Sequence, residues 1–207
     1  MANVYVIFAD GVEDIDALTA VDILRRGGQD VVMVSVTGQW MIRGSHGIEF
    51  TVNRLFDPDE ISGGPITDGD MIVLPGGGAG TKALSVHDGL AEVLAEYAAA
   101  GKWIGAICAA PSVLGIHQLL RGKRATCYPG FEDKLIGATP TGESVTVDGN
   151  IITGKGMGVS NEFALALLRA LDPAEADRVA ARGQCEHETE VGGQGVPRRE
   201  QFCVHPA

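Results

Sequence analysis

The chain has 207 residues, 45% of them hydrophobic and 21% charged, and its 27 acids against 16 bases leave a net charge of −11. A chain of this length buries about 70% of its extended surface, so it needs no disulfide or metal scaffold, and its acidic balance argues against a nucleic-acid partner. Twenty-nine glycines, about twice the usual ~7%, fall between apolar runs rather than in a repeat, which excludes collagen-like and disordered chains.

The N-terminus reads MANVYVIFAD, with no basic region and with Asp10 closing the apolar run. That pattern predicts a buried strand over Val4–Phe8, not a signal peptide. Further apolar runs predict strands at Val31–Val36, Met71–Leu74 and Trp103–Ile107, each covered on both faces. Between the first two, Ile15, Leu18, Val21 and Leu24 recur at about helical spacing, and Gly27-Gly28 supplies the stop. Leu90, Val93, Leu94 and Tyr97 form a second helical face, with Asp88 as expected N-cap and Gly101 beyond its end. Val145–Val147 and Ile151–Thr153 flank Asp148-Gly149-Asn150 as a hairpin. A last helical face runs through Phe163, Ala166, Leu167, Ala170 and Leu171, opened by Ser160 and closed before Pro173. No apolar run approaches the ~18 residues of a membrane span, and four cysteines do not make a disulfide framework. The expectation is a cytoplasmic protein with no membrane or nucleic-acid partner.

Strand–helix alternation predicts an α/β fold, a doubly wound, mostly parallel sheet with helices on both faces. In such sheets the site lies beyond the carboxyl ends of the strands. Three segments there could carry chemistry. In GAICAAP (Gly105–Pro111) a strand runs directly into Cys108, flanked by small residues that permit a sharp nucleophile elbow. A thiol before a helix would have its thiolate favoured and its pKa lowered; a buried core cysteine is the plainer alternative. LPGGGAGT (Leu74–Thr81) could aim backbone N–H groups at an oxyanion or phosphate, or be a tight turn. It lacks the Lys-Ser/Thr ending of a P-loop. In GVEDIDAL (Gly11–Leu18), Glu13, Asp14 and Asp16 suit a helix start. One of them could hydrogen-bond a thiolate, and local pattern does not choose among the three.

Together and in this order, these segments resemble the ThiJ/PfpI superfamily, and within it the branch of the Parkinson-disease-associated protein deglycase. The likeness runs from about Val4 to Leu171 and includes DILRRGG (Asp22–Gly28), VLPGG (Val73–Gly77), AICAAP (Ala106–Pro111), ATCYP (Ala125–Pro129) and GKGMGVSNEFAL (Gly154–Leu165). It implies a flavodoxin-like, class I glutamine amidotransferase-like domain over residues 1–183, followed by a C-terminal extension over 184–207. It also implies Cys108 as nucleophile, oxyanion amides at Gly77 and Ala109, and Asp16 as the acid beside the thiol. Arg26 of the Arg25-Arg26 pair would reach across a homodimer, and Lys155 and Gly156 would border the pocket. No cofactor and no metal are expected.

The sequence departs from the family at three places. The acid is usually Glu, and Asp16 is one methylene shorter, as in the isonitrile hydratase branch. Tyr128 stands where Cys–His members carry His; it could still donate to a substrate carbonyl, and His46 lies near a family arginine and could offer an imidazole. The extension carries Cys185/His187 and Cys203/His205, enough donors for zinc but not at the usual spacing, and reads as a packing or surface tail. Cys127 is expected in the core, within reach of an oxidised Cys108. The resemblance implies a stress-protective enzyme on small reactive carbonyls or their adducts, of glyoxalase or deglycase type. Alternatives are an isonitrile hydratase-type hydro-lyase and a cysteine redox sensor or chaperone dimer.

Overall fold

A computed structural model describes residues 1–56 and 66–183. The Cys185, His187, Cys203 and His205 expectations therefore lie outside the described residues. In chain order the elements are β1 (Asn3–Phe8), α1 (Asp14–Arg26), β2 (Asp30–Ser35), β3 (Met41–Arg43), β4 (Glu49–Thr51), β5 (Arg54–Leu55), β6 (Met71–Leu74), α2 (Gly78–Ser85), α3 (Asp88–Ala99) and β7 (Trp103–Ile107). They continue with α4 (Pro111–Ile116), β8 (Arg124–Ala125), β9 (Thr139–Pro140), β10 (Val145–Asp148), β11 (Ile151–Gly154), α5 (Ser160–Leu171) and α6 (Pro173–Gly183).

Seven strands form one sheet in the order β10-β11-β7-β6-β1-β2-β5. Every pairing within it is parallel except the β10–β11 hairpin, where Val145 faces Gly154 and Asp148 faces Ile151. The strand alternation divides the core cleanly. Val4, Val6 and Phe8 pack with α1 and α5 residues such as Leu24, Phe163 and Leu167 on one face. Tyr5, Ile7, Leu74 and Ile104 pack with Leu90, Leu94 and Tyr97 of α3 on the other. This is the doubly wound sheet expected from the alternation of patterns.

Two helix starts differ from expectation. The cap of α3 is His87, whose Nδ1 accepts from the Leu90 amide at 3.0 Å, and Asp88 is already helical. An Asp at that place still meets the positive end of the helix, so the pattern could not separate cap from first turn. Ser160 is likewise the first helical residue of α5 behind Val159, and its hydroxyl is used elsewhere. Among the described residues no helix is long and apolar enough to cross a membrane.

The right-handed topology of parallel crossovers puts the starts of α1, α2 and α4 and the end of β11 at one edge of the sheet. A groove of ≈ 450 Å³ opens at the opposite edge, between Ala2, Gln29, Asp70, Lys102 and Leu171. Its lining holds no cysteine, serine or histidine, so the chemistry is sought at the strand ends.

Candidate functional site

Cys108 follows β7 with φ +63°, in the left-handed region that only glycine adopts without cost. Backbone hydrogen bonds hold it there. Its amide donates to Gly154 O at 2.9 Å, and its carbonyl accepts from the Tyr128 amide at 2.8 Å. The conformation stores strain of order 1–3 kcal/mol, as is common at functional sites. The side chain is half-buried, and the amides of Gly77 and Ala109 point at its sulfur. Both amides expected from the sequence are therefore at the thiol.

Of the three acids, Asp16 is the one brought to Cys108. It is fully buried in the first turn of α1, and Oδ1 accepts from the Ser160 hydroxyl at 2.8 Å. That contact joins the starts of α1 and α5, which pack against each other. Oδ2 lies on the cysteine side and makes no closed hydrogen bond. A methyl group on Gly76 would come within 2.6 Å of Oδ2, 2.5 Å of Cys108 Cβ and 3.1 Å of Cys108 Sγ. Only a bare backbone at Gly76 leaves the thiol and the carboxylate side by side.

The electrostatics reverse one expectation. Burial, with the charge of Asp16 behind it, pushes the Cys108 thiol up to about 11, against the downward pull of the Gly77 and Ala109 amides. The sequence suggested a lowered pKa from a helix start. But α4 begins only at Pro111 and is six residues long, and burial, with the charges of Asp16 and Glu13 behind it, outweighs it. Burial also raises Asp16 to about 6, opposed chiefly by the Ser160 hydroxyl. The two groups titrate as a pair. Moving one proton from sulfur to Asp16 removes the principal charge that opposes the thiolate.

A stability prediction follows from Asp16. Below about pH 4 its carboxyl is protonated in both folded and unfolded chains. Between there and its folded value of about 6, the unfolded chain releases the proton first, so stability falls as pH rises and stays reduced above that window. Asp16→Asn keeps a partner for Ser160 and removes the buried charge. It is expected to raise the unfolding free energy at neutral pH by on the order of 2–3 kcal/mol, and the melting temperature with it, with the gain vanishing near the unfolded pKa. Thermal melts of both proteins across acid to neutral pH check it.

The remaining expected residues lie at graded distances from the thiol. Tyr128 is bonded to Cys108 through its backbone, and its half-exposed ring covers Gly156 and stacks edge-on with Phe131. Gly156 faces Cys108 Sγ, whereas Lys155 turns away, its Nζ donating to Gly142 O at 3.2 Å. His46, on the β3–β4 turn, meets Glu13, Asp14 and Ser45 rather than the thiol. Arg26 is exposed at the end of α1 and paired with Asp22 at 2.6 Å, so within one chain it is outside the pocket. Cys127 is buried next to Tyr128, with its thiol also raised by burial. Sequence reasoning missed Ser160 and Gly76. Ser160 sits where a cap serine is ordinary, and Gly76 opens a glycine run that also reads as a turn.

Comparison with known proteins agrees with this geometry. The model of the DJ-1/PfpI family matches residues 2–170. Protein dj-1beta of Drosophila melanogaster is 33% identical over 181 residues, covering 86% of this chain and 94% of its own. Protein DJ-1 homolog B of Arabidopsis thaliana is 36% identical over 167 residues, and the chain spans only 37% of that protein's length. A deglycase of Pyrococcus abyssi is 31% identical over 158 residues, 74% of this chain and 89% of that one. Among solved structures, oxidized DJ-1 of Toxoplasma gondii superposes with a TM-score of 0.80 at 34% identity, covering 88% of this chain and 97% of its own. With its flavodoxin-like sheet and a strained cysteine at the end of β7, the chain belongs to the DJ-1/PfpI family.

Proposed function

We propose that the protein is a stress-protective, cysteine-dependent enzyme acting on small reactive carbonyls or their adducts. The observation that carries this reading is the convergence of two backbone amides and one proton-holding carboxyl on the Cys108 sulfur. The likeness to a relative named as a deglycase supports it.

With methylglyoxal as the test substrate, Asp16 takes the thiol proton and the thiolate adds to the aldehyde carbon. The C=O electron pair moves to oxygen, which the Gly77 and Ala109 amides stabilise as an oxyanion, and Asp16 returns the proton to give a hemithioacetal. Asp16 then removes the hydrogen on the former aldehyde carbon as a proton, and protonation of the adjacent carbon leaves a thioester. Water hydrolyses the thioester to lactate and frees Cys108. The sum is methylglyoxal plus water to lactate, an internal redox exchange that needs no external oxidant. Detection of lactate, dependent on the thiol, supports the reading. Formamide from an isonitrile, with no lactate from methylglyoxal, transfers the same residues to the hydro-lyase reaction, for which Asp16 in place of Glu is the favouring feature.

We also propose that the working form is a homodimer. Ile15 of α1 with Trp40, Met41 and Ile48 around the β3–β4 hairpin are large apolar residues about half exposed, more than a solitary surface usually gathers in one region. A second copy seated there would cover them and bring Arg26 near a neighbouring molecule. The full chain is expected to sediment at twice its 21.6 kDa mass; a monomer at micromolar concentration overturns the dimer.

A further inference from the structure

A serine at a helix start ordinarily accepts from the free amides of the first turn. Ser160 does not cap α5 in this way. The cap position is Val159, without a side-chain bond, and the Ser160 hydroxyl donates instead, to Asp16 Oδ1 at 2.8 Å and to Met157 O at 3.0 Å. Ser160 is 3% exposed, and its bond to Asp16 is buried. Two acceptors compete for one proton, and an ionised carboxylate is the stronger of them. A buried hydroxyl is thus directed at a carboxylate 144 positions away rather than at its own helix.

The two oxygens of Asp16 consequently have different surroundings. Oδ1 is held by Ser160, while Oδ2 makes no closed hydrogen bond and lies beside Cys108 across the bare backbone of Gly76. The last torsion of an aspartate is broad, so the side chain by itself does not fix where Oδ2 points. The bond from Ser160 does. The titratable groups that act on this carboxyl are Glu13 from α1 and Cys108 from the end of β7; among the influences that favour its charged form, Ser160 is the largest, ahead of Cys108 and the Gly76 backbone. The same hydroxyl reaches the turn after β11. There the Val159 amide closes onto Gly156 O at 2.9 Å, and a methyl group on Gly156 would come within 3.9 Å of Cys108 Sγ. One side chain therefore holds both the carboxyl and a wall of the thiol pocket.

We propose that Ser160 is a positioning residue for the cysteine chemistry, its hydroxyl anchoring Asp16 Oδ1 so that Oδ2 faces Cys108 Sγ and receives its proton. In that step the S–H bond breaks with its electron pair left on sulfur. The proton passes to Oδ2, and Oδ1 goes on accepting from Ser160, so the carboxyl is held in both protonation states without rotating. The inference rests on the proposed function only in treating Cys108 and Asp16 as the reacting pair, and it requires no particular substrate.

Alkylation of Cys108 in the full chain by iodoacetamide, followed by peptide-resolved mass spectrometry across pH, reads this without any carbonyl compound. In the parent the rate is expected to rise through the Asp16 value of about 6, as the base becomes available. Ser160→Ala removes a donor to the carboxylate and so favours the neutral acid. Its inflection is expected about one pH unit or more higher, with the rate above it about tenfold lower. Ser160→Thr keeps the hydroxyl and is expected to keep the parent inflection. On an Asp16→Asn background, Ser160→Ala is expected to change the rate by less than about twofold, because no base is left for it to hold. Four outcomes overturn the proposal. They are a parent profile without the acid inflection, an unmoved inflection in Ser160→Ala, a Ser160→Thr inflection displaced as far as that of Ser160→Ala, and an undiminished loss on the Asp16→Asn background, which would make Ser160 purely structural. Absence of lactate from methylglyoxal, with these shifts intact, would remove the carbonyl reading and leave the role of Ser160 standing.

Discussion

Replacement of Cys108 by alanine should lower kcat/KM for methylglyoxal consumption by about a thousandfold or more, to the rate of the reaction without a nucleophile. The size follows from its role. Without the sulfur no carbon–sulfur bond forms, and the Gly77 and Ala109 amides and Asp16 are left with no intermediate to act on. The fold should survive, because the side chain is small and only half-buried; the melting temperature should rise slightly or remain level. Alanine still occupies the left-handed backbone position at +63°, so strain is not relieved and the amide cradle keeps its shape. Lactate formation by Cys108→Ala at the parent rate would overturn the covalent mechanism. Serine is the sterner control, since a hydroxyl fits the space but is a far poorer nucleophile at neutral pH.

The second large effect is expected at Gly77. Its φ is +97°, and a methyl group there would lie 2.3 Å from Gly11 O and 2.5 Å from the Glu13 amide. Both obstacles are backbone, so neither can rotate away. Gly77→Ala should therefore cost about 2–5 kcal/mol, combining left-handed strain with forced displacement. Moving residue 77 also withdraws one of the two amides that face the sulfur, so activity should fall at least tenfold in the protein that still folds. Gly78 is the internal control. It begins α2 in open space with nothing near its would-be side chain, and Gly78→Ala should be neutral or gain up to ~1 kcal/mol from helix propensity. Chemical denaturation of the two variants beside the parent checks the pair. Equal losses at both positions would show that the glycine run is a generic turn.

Three glycines in a row thus have three different constraints; local pattern made only the run visible, and family likeness picked out Gly77. The legible parts were those set by local pattern. Alternating and continuous apolar runs located β1, β6 and β7 almost to the residue, because burial on both faces leaves a continuous apolar run. The small residues after Ile107 marked the elbow at Cys108. Family likeness, not pattern, singled out Asp16 among three adjacent acids. What stayed hidden depends on residues far apart in the chain. Ser160 meets Asp16 across 144 positions, and His46 meets Asp14 from another loop; neither contact leaves a periodic trace. The sign of the thiol shift was hidden for the same reason. Proximity to a helix start can be read locally, but burial and the charges of Asp16 and Glu13 come from the assembled fold.

The backbone clamp on Cys108 has a consequence for how the protein would fail. The residue is held left-handed by Gly154 on one side and Tyr128 on the other, and Gly154 is the last residue of β11, the inner strand of the edge hairpin. Edge hairpins open more readily than central strands. Each opening frees the Cys108 amide to exchange its hydrogen with solvent and lets the elbow relax to an ordinary backbone angle. The reactive geometry is therefore expected to be lost once β11 separates from β7, before the whole domain unfolds. Inactivation on mild heating would begin there, with most of the sheet still intact.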